Sequence, residues 1–182
     1  MRMSQLFNQT LRELPSDAIT PGNQFLQRAG YVREVATNVY ALNPLANHSL
    51  QKIKNMIRQE LYYLSGQEMN IPSLLSSEIL TKKSFHPFID VDLQEVTDSM
   101  SHHMYLTSTA NHHLAELIQH SIRSHRQLPR LLFQIRPRML NGRLNRTGLL
   151  STRLVTRLET FFLDKDQNNG TQQYQHLIQI FQ

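Results

Sequence analysis

Leu50, Ile53, Ile57, Leu61 and Leu64 fall on one stripe at helical spacing, and no other feature of this 182-residue chain limits its fold so strongly. The stripe predicts a helix from about residue 47 to 64, closed by Ser65-Gly66, with Lys52, Lys54, Arg58, Gln59 and Glu60 mostly facing elsewhere. A one-sided helix of this kind needs a second layer to bury its apolar stripe. Residues 131–140 can supply that layer. Leu131, Phe133, Ile135 and Met139 alternate with Gln134, Arg136 and Arg138, the pattern of a strand with one apolar face. Asn141-Gly142 is a turn dipeptide, and residues 149–162 read as the returning strand. Tyr174, Leu177, Ile178 and Phe181 mark a closing amphipathic helix after a loop over 164–170. Shorter helices are expected over 5–13, 23–29 and 109–124, and extended segments over 39–42, 68–71 and 89–96. Helices mixed with non-adjacent strands, without repeats or a linker, predict a single α+β domain over residues 1–182.

Composition narrows the function. The apolar fraction of 40%, with eight Phe and six Tyr, suits a packed core. With no Cys, the chain has no disulfide, no Cys-ligated zinc and no Cys nucleophile. No apolar run approaches the roughly 20 residues that span a bilayer, and the first 14 residues lack the apolar stretch of a signal peptide. A cytoplasmic protein without membrane partners is expected. Charge is distributed unevenly. Arg123, Arg126, Arg130, Arg136, Arg138, Arg143, Arg146, Arg153 and Arg157 occupy a segment, 117–158, that contains no Asp or Glu. The net charge is only +5, so the remainder sums to −4 (five minus nine). Guanidinium is permanently charged and presents a planar fork of donors, so such a segment attracts phosphate or another anion.

The order of several short patterns resembles the N-terminal part of bacterial prolyl-tRNA synthetase. Arg28-Ala29-Gly30 leads into an apolar and basic stretch, a short strand with Tyr40, a turn at Pro44 and the long helix. That helix, with Glu68 and Pro72 behind it, resembles motif 1 of the class II synthetases, over about 47–72. Arg126-Gln127-Leu128-Pro129 and Phe133-Gln134-Ile135 are similar to the lead into motif 2, over about 131–162. The resemblance implies a class II synthetase-like antiparallel sheet flanked by helices. It also implies a homodimer built on the motif 1 region, with Leu50, Ile53, Ile57, Leu61 and Pro72 as interface candidates.

Departures from the family pattern fall on its chemistry. In register, the motif 2 Arg that grips the ATP α-phosphate is Leu140, and the Glu two residues later is Gly142. A Leu neither neutralises phosphate nor donates a hydrogen bond. The family's Thr-x-Glu element reads Thr109-Ala110-Asn111, which drops the carboxylate, and His112 stands where the family has a second Glu. An Arg-x-Arg-Glu element keeps only Arg153. The chain reaches Gln182 without a motif 3, so a core truncated before that motif, with a reduced sheet, is expected. Thr109, Asn111, His112 and Arg153 are then remnants of a pocket. No residue is assigned a catalytic role and no cofactor is expected.

Three functions follow. The first is a dimeric pseudoenzyme, a synthetase paralogue in translation that binds tRNA, another RNA or a nucleotide, with Arg136, Arg138, Arg143 and Arg146 as anion contacts. The second is a truncated or split prolyl-tRNA synthetase, the remnant of an ATP-dependent proline–tRNA ligase. The third is an enzyme of unrelated chemistry centred on the His-rich helix. There His112, Glu116 and His120 are spaced i, i+4, i+8, but three ligands on one helix span roughly 12 Å, too far for one ion. Only a pair such as His112 and Glu116 can chelate, so no metal site is assigned. Asp90 and Asp92 alternate on an expected strand and read as a solvated edge, and no Gly-rich phosphate loop occurs.

Overall fold

The structure, a computed structural model, describes residues 5–7, 9–16, 18, 20–81, 93–140 and 148–181. Its contacts gather into two compact units, residues 1–56 with 139–155 and residues 57–138 with 156–182.

In the first unit, Thr20 caps α1 (Pro21–Arg28) by accepting from the Asn23 N–H, and Pro21 starts the helix where no hydrogen bond is lost. Gly30 then turns the chain with φ 71° into β1 (Val32–Ala36), which pairs antiparallel with β2 (Val39–Leu42). The helix expected over 5–13 does not form among its described residues. The Leu11 N–H instead bonds the Arg28 carbonyl, outside its own segment. Gly148 sits at φ 67° against Asn23, where a Cβ would lie 2.7 Å from Asn23 Cγ. Only glycine fits there.

The stripe helix is α2 (Pro44–Tyr63), three residues longer at its start than the periodicity indicates. Its latter part, from Ile57, belongs to the second unit. There β3 (Gln67–Glu68) lies beside β7 (Arg130–Met139), which neighbours β8 (Leu154–Leu163). The β3–β7 pairing is parallel, a local exception to the expected antiparallel sheet. It is also short: the Met69 N–H still bonds the Phe133 carbonyl at 2.8 Å, but the Ile71 N–H goes to the Gln134 side chain at 3.1 Å. A separate antiparallel sheet, in the order β4 (Leu74–Ser76), β6 (His103–Leu106), β5 (Gln94–Thr97), was not foreseen except at β5. The short α3 (Ser77–Thr81) follows β4. The expected strand over 89–96 and the Asn141-Gly142 turn lie in part or wholly outside the described residues, as do Asp90 and Asp92. α4 (Asn111–Ser121) and α5 (Gln167–Ile180) complete the unit, with Asp166 capping α5 in the segment read as loop.

Two apolar clusters cover opposite sides of the β7–β8 layer. Leu61, Leu131, Phe133, Ile135 and Leu177 form one, with Ile57, Leu64, Leu158 and Phe162 against it. Ile71, Ala110 and Leu114 form the other, with Met69, Ile118, Leu132 and Phe161. The first therefore joins α2 and α5 to the odd-numbered residues of β7, and the second joins α4 to Leu132. No described helix is long and apolar enough to cross a membrane.

Leu61 is 0% exposed at the centre of the first cluster. Leu61→Ala is expected to cost about 2 to 5 kcal/mol, read as a lower urea midpoint, because packed neighbours close only part of the cavity.

Candidate functional site

The side of β7 that faces α4 carries polar side chains with almost no access to water. Gln134 is 0% exposed and Arg138 is 2% exposed. Both reach Glu159, the one acid on β8. Gln134 Nε2 donates to Glu159 Oε2, and Arg138 Nη2 donates to the same oxygen at 3.0 Å. Arg138 Nη1 donates to Ser73 Oγ, and Gln134 Oε1 accepts from Ile71. One carboxylate thus holds two strands and, through their partners, the 71–73 segment. Burial makes this network demanding, since a charge left unpaired inside costs several kcal/mol.

The start of α4 lies near this network. Thr107 Oγ1 donates to the Thr109 carbonyl at 2.8 Å, shaping the approach to the helix, and His112 is fully buried on its first turn. His113 Nε2 donates to the Leu74 carbonyl at 2.7 Å. Burial is the main cause holding the His113 pKa below its ordinary value of 6.5. The Leu74 bond opposes that shift, and the positive charge of Arg138 adds to it. On β8, Arg157 Nη1 donates to the Ser108 carbonyl at 3.3 Å. The β5–β6 hairpin holds two exposed pairs, His102 with Asp98 at 2.8 Å and His103 with Glu95 at 2.6 Å. Asp98 also accepts backbone bonds from Met100 and His102. Its pKa is lowered, first by the backbone bond from His102.

Two of the cavities in this unit have both arginine and Met69 on their lining. One of about 330 Å3 is walled by Leu114, Leu117, Ile118, Met69, Leu132 and Leu163, with Arg130 also on its lining. The other, about 610 Å3 and more open, is lined by Arg58, Tyr62, Glu68, Met69, Asn70, Ile135 and Arg136.

No family model matches the chain. The proline–tRNA ligase of Streptococcus gordonii is 37% identical over 153 residues, which is 84% of this chain and 25% of that protein. The proline–tRNA ligase of Streptococcus pneumoniae is 36% identical over a span of the same length. A solved prolyl-tRNA synthetase from Cryptosporidium parvum, complexed with L-proline and AMP, has the same fold. Its TM-score is 0.71 at 17% identity, over 88% of this chain and 34% of that one. This chain is a prolyl-tRNA synthetase-like class II core. It spans a quarter of the length of the curated relatives it matches.

Within the synthetase-like core the residues singled out from sequence fare differently. Leu140 is half-buried, and its N–H bonds the Arg153 carbonyl at 2.8 Å. The Arg153 side chain is exposed. Thr109 is half-buried, Asn111 exposed and His112 enclosed. Glu116 Oε1 lies 3.4 Å from His120 Nε2 within α4. Among the described residues no group of three or more His, Asp or Glu is placed to hold a metal. Arg136 is half-buried, whereas Gly142, Arg143 and Arg146 lie outside the described residues. Arg138 requires correction as an anion contact, because its guanidinium is enclosed and already paired with Glu159. The interface candidates also divide. Leu61 is sealed in the core and Ile57 packs against it, Leu50 is half-buried, and Ile53 and Pro72 are exposed.

The network itself was missed in sequence. Gln134 and Arg138 looked like an outward face because strand alternation does not reveal that both faces are covered. The available signal was Glu159, the single carboxylate in ten residues of β8.

Arg138→Met is expected to lose about 3 to 5 kcal/mol of stability by stranding Glu159, with Arg138→Met/Glu159→Leu recovering much of it, as measured by urea unfolding. His113 gives a pH dependence. Its folded pKa is depressed, so on acidification the unfolded chain takes up the proton first. Stability present above pH 6.5 is lost progressively below it. The drop in urea midpoint between pH 7.5 and pH 5.5 should shrink in His113→Asn.

Proposed function

We propose that this chain is a synthetase-like binding module that does not form prolyl-adenylate, acting as a homodimer that holds an anionic partner, either tRNA, another RNA or a nucleotide. The observation that carries the reading is Leu140 at the position of the motif 2 arginine. Adenylation needs cationic donors around the reacting phosphate, and each is typically worth about 3 to 4 kcal/mol of transition-state stabilisation. An isobutyl group supplies none. Asn111 in place of a carboxylate weakens capture of an amino acid's ammonium in the same direction.

Anion binding rests on the basic segment. With Arg138 enclosed, the contacts are Arg136, Arg143, Arg146 and the exposed Arg153. The dimer reading draws on α2, where Ile53, Met56 and Tyr63 are 55%, 66% and 85% exposed on one side of the helix. Apolar area of this kind gains roughly 25 cal/mol per Å2 when a partner covers it.

Purified protein should show no proline-dependent ATP–pyrophosphate exchange, and exchange above the no-proline background overturns the reading. Binding to tRNA should weaken linearly in log affinity with log salt. Arg143→Ala/Arg146→Ala should flatten that slope by about 1.4 to 1.8. Ile53→Asp/Met56→Asp should turn a micromolar dimer into a monomer in sedimentation equilibrium.

A further inference from the structure

Residues 71–74 lead from the β7 layer into the β4–β6–β5 sheet, and side chains of that layer hold them. Arg138 donates to Ser73 Oγ, and the Ile71 N–H goes to Gln134. The Thr107 N–H and hydroxyl both bond the Ser73 carbonyl, at 2.9 and 3.2 Å. His113 on α4 adds a tie across 39 positions of sequence, donating from Nε2 to the Leu74 carbonyl at 2.7 Å. That carbonyl sets the tautomer of the neutral ring, so the proton is on Nε2 and Nδ1 is a bare lone pair. Nδ1 is buried and meets no hydrogen-bond partner among the described residues. A lone pair is tolerable there. A charged N–H without an acceptor is much less so.

The surrounding charges do not relieve it. Arg138 on β7 and His112 on α4 both oppose a positive charge on His113. Glu159 on β8 is already bonded to Arg138 and Gln134, and Arg157 on β8 adds a further cation at the Ser108 carbonyl. Glu116, one turn along α4, lies 3.4 Å from His120, and Glu78 on α3 is exposed. Within the sheet the sign is reversed, because the His102–Asp98 and His103–Glu95 pairs tighten when their imidazoles are charged. Acid therefore loosens the anchor of this sheet while firming its hairpin.

We propose that His113 is an acid-sensitive latch: neutral, it pins β4 to α4, and protonated, it lets the β4–β6–β5 sheet part from the β7–α4 layer as a unit. The Leu74 bond outlasts protonation and resists release, so the drive comes from Nδ1. Once released, the imidazole is solvated and its pKa returns towards 6.5, above the depressed value of the closed form. The closed form is thus fully favoured above pH 6.5 and loses ground below it. This opening is local, distinct from loss of overall stability, and it loosens Thr107 to Asn111 at the entry to α4. It draws nothing from the anion-binding or dimer readings.

Amide hydrogen exchange on the full chain, expressed as protection factors at pH 7.5 and pH 5.5, tests it. The Thr107 N–H reports the latch, and the Met69 N–H, bonded to the Phe133 carbonyl at 2.8 Å, reports the β7 layer. On acidification of the wild type, Thr107 should lose protection at least about threefold more than Met69. His113→Gln keeps an amide donor for the Leu74 carbonyl without a titrating group, and in it the two amides should change alike. A second measurement needs no variant: the His113 imidazole and the methyls of Leu75, 0% exposed on β4, should titrate by NMR with one midpoint. The proposal is overturned if Thr107 and Met69 lose protection in parallel in the wild type, if the excess persists in His113→Gln, or if the His113 and Leu75 midpoints differ.

Discussion

Strand β7 is enclosed on both sides, and the second unit is organised around satisfying it. Phe133 and Ile135 pack into the α2–α5 cluster, with Tyr62 edge-on to Phe133 at 5.6 Å between ring centroids. Gln134 and Arg138 point the other way and would be intolerable there without Glu159. Apolar burial on one side is forgiving, because many side chains of similar volume fill a cluster. The polar side is not forgiving, since removing either partner of Arg138 and Glu159 leaves a charge that the interior cannot solvate. That asymmetry ties Ser73, Ile71 and the start of α4 to the sheet more tightly than their apolar contacts alone would.

The same arrangement takes one arginine of the strongly basic segment out of the surface, while Arg123, Arg126, Arg130, Arg153 and Arg157 stay exposed. Arg138 is absorbed into the interior and Arg157 meets the Ser108 carbonyl. Arg136 is half-buried and lines a cavity with the Arg58–Glu68 pair. Charge counted along a chain therefore overstates the charge presented at a surface. For the proposed function this shifts attention from the number of arginines to which of them stay exposed.

Much of the architecture was legible in sequence. The α2 stripe, the alternation of β7 and the α4 segment all appear near the expected positions, because local periodicity decides them. Elements that depend on distant partners were not legible. β4 and β6 are short segments whose pairing is their main reason for being strands. Residues 5–13 have helical apolar spacing but spend a backbone donor on Arg28. For the candidate site, the sequence named Thr109, His112 and Arg136 but not Ser73, His113 or Glu159, which matter only through what they touch.

By itself, then, the sequence determined the stripe of α2, the alternation of β7 and the resemblance to the synthetase motifs, since these depend on residue identity and spacing. Tertiary structure alone decided which polar residues are interior, because burial is a property of what lies across from a strand and not of the strand. Arg136 and Arg138, two positions apart on β7, are chemically identical in sequence. One lines an open cavity and the other is locked against Glu159, and only the packing around each makes that difference.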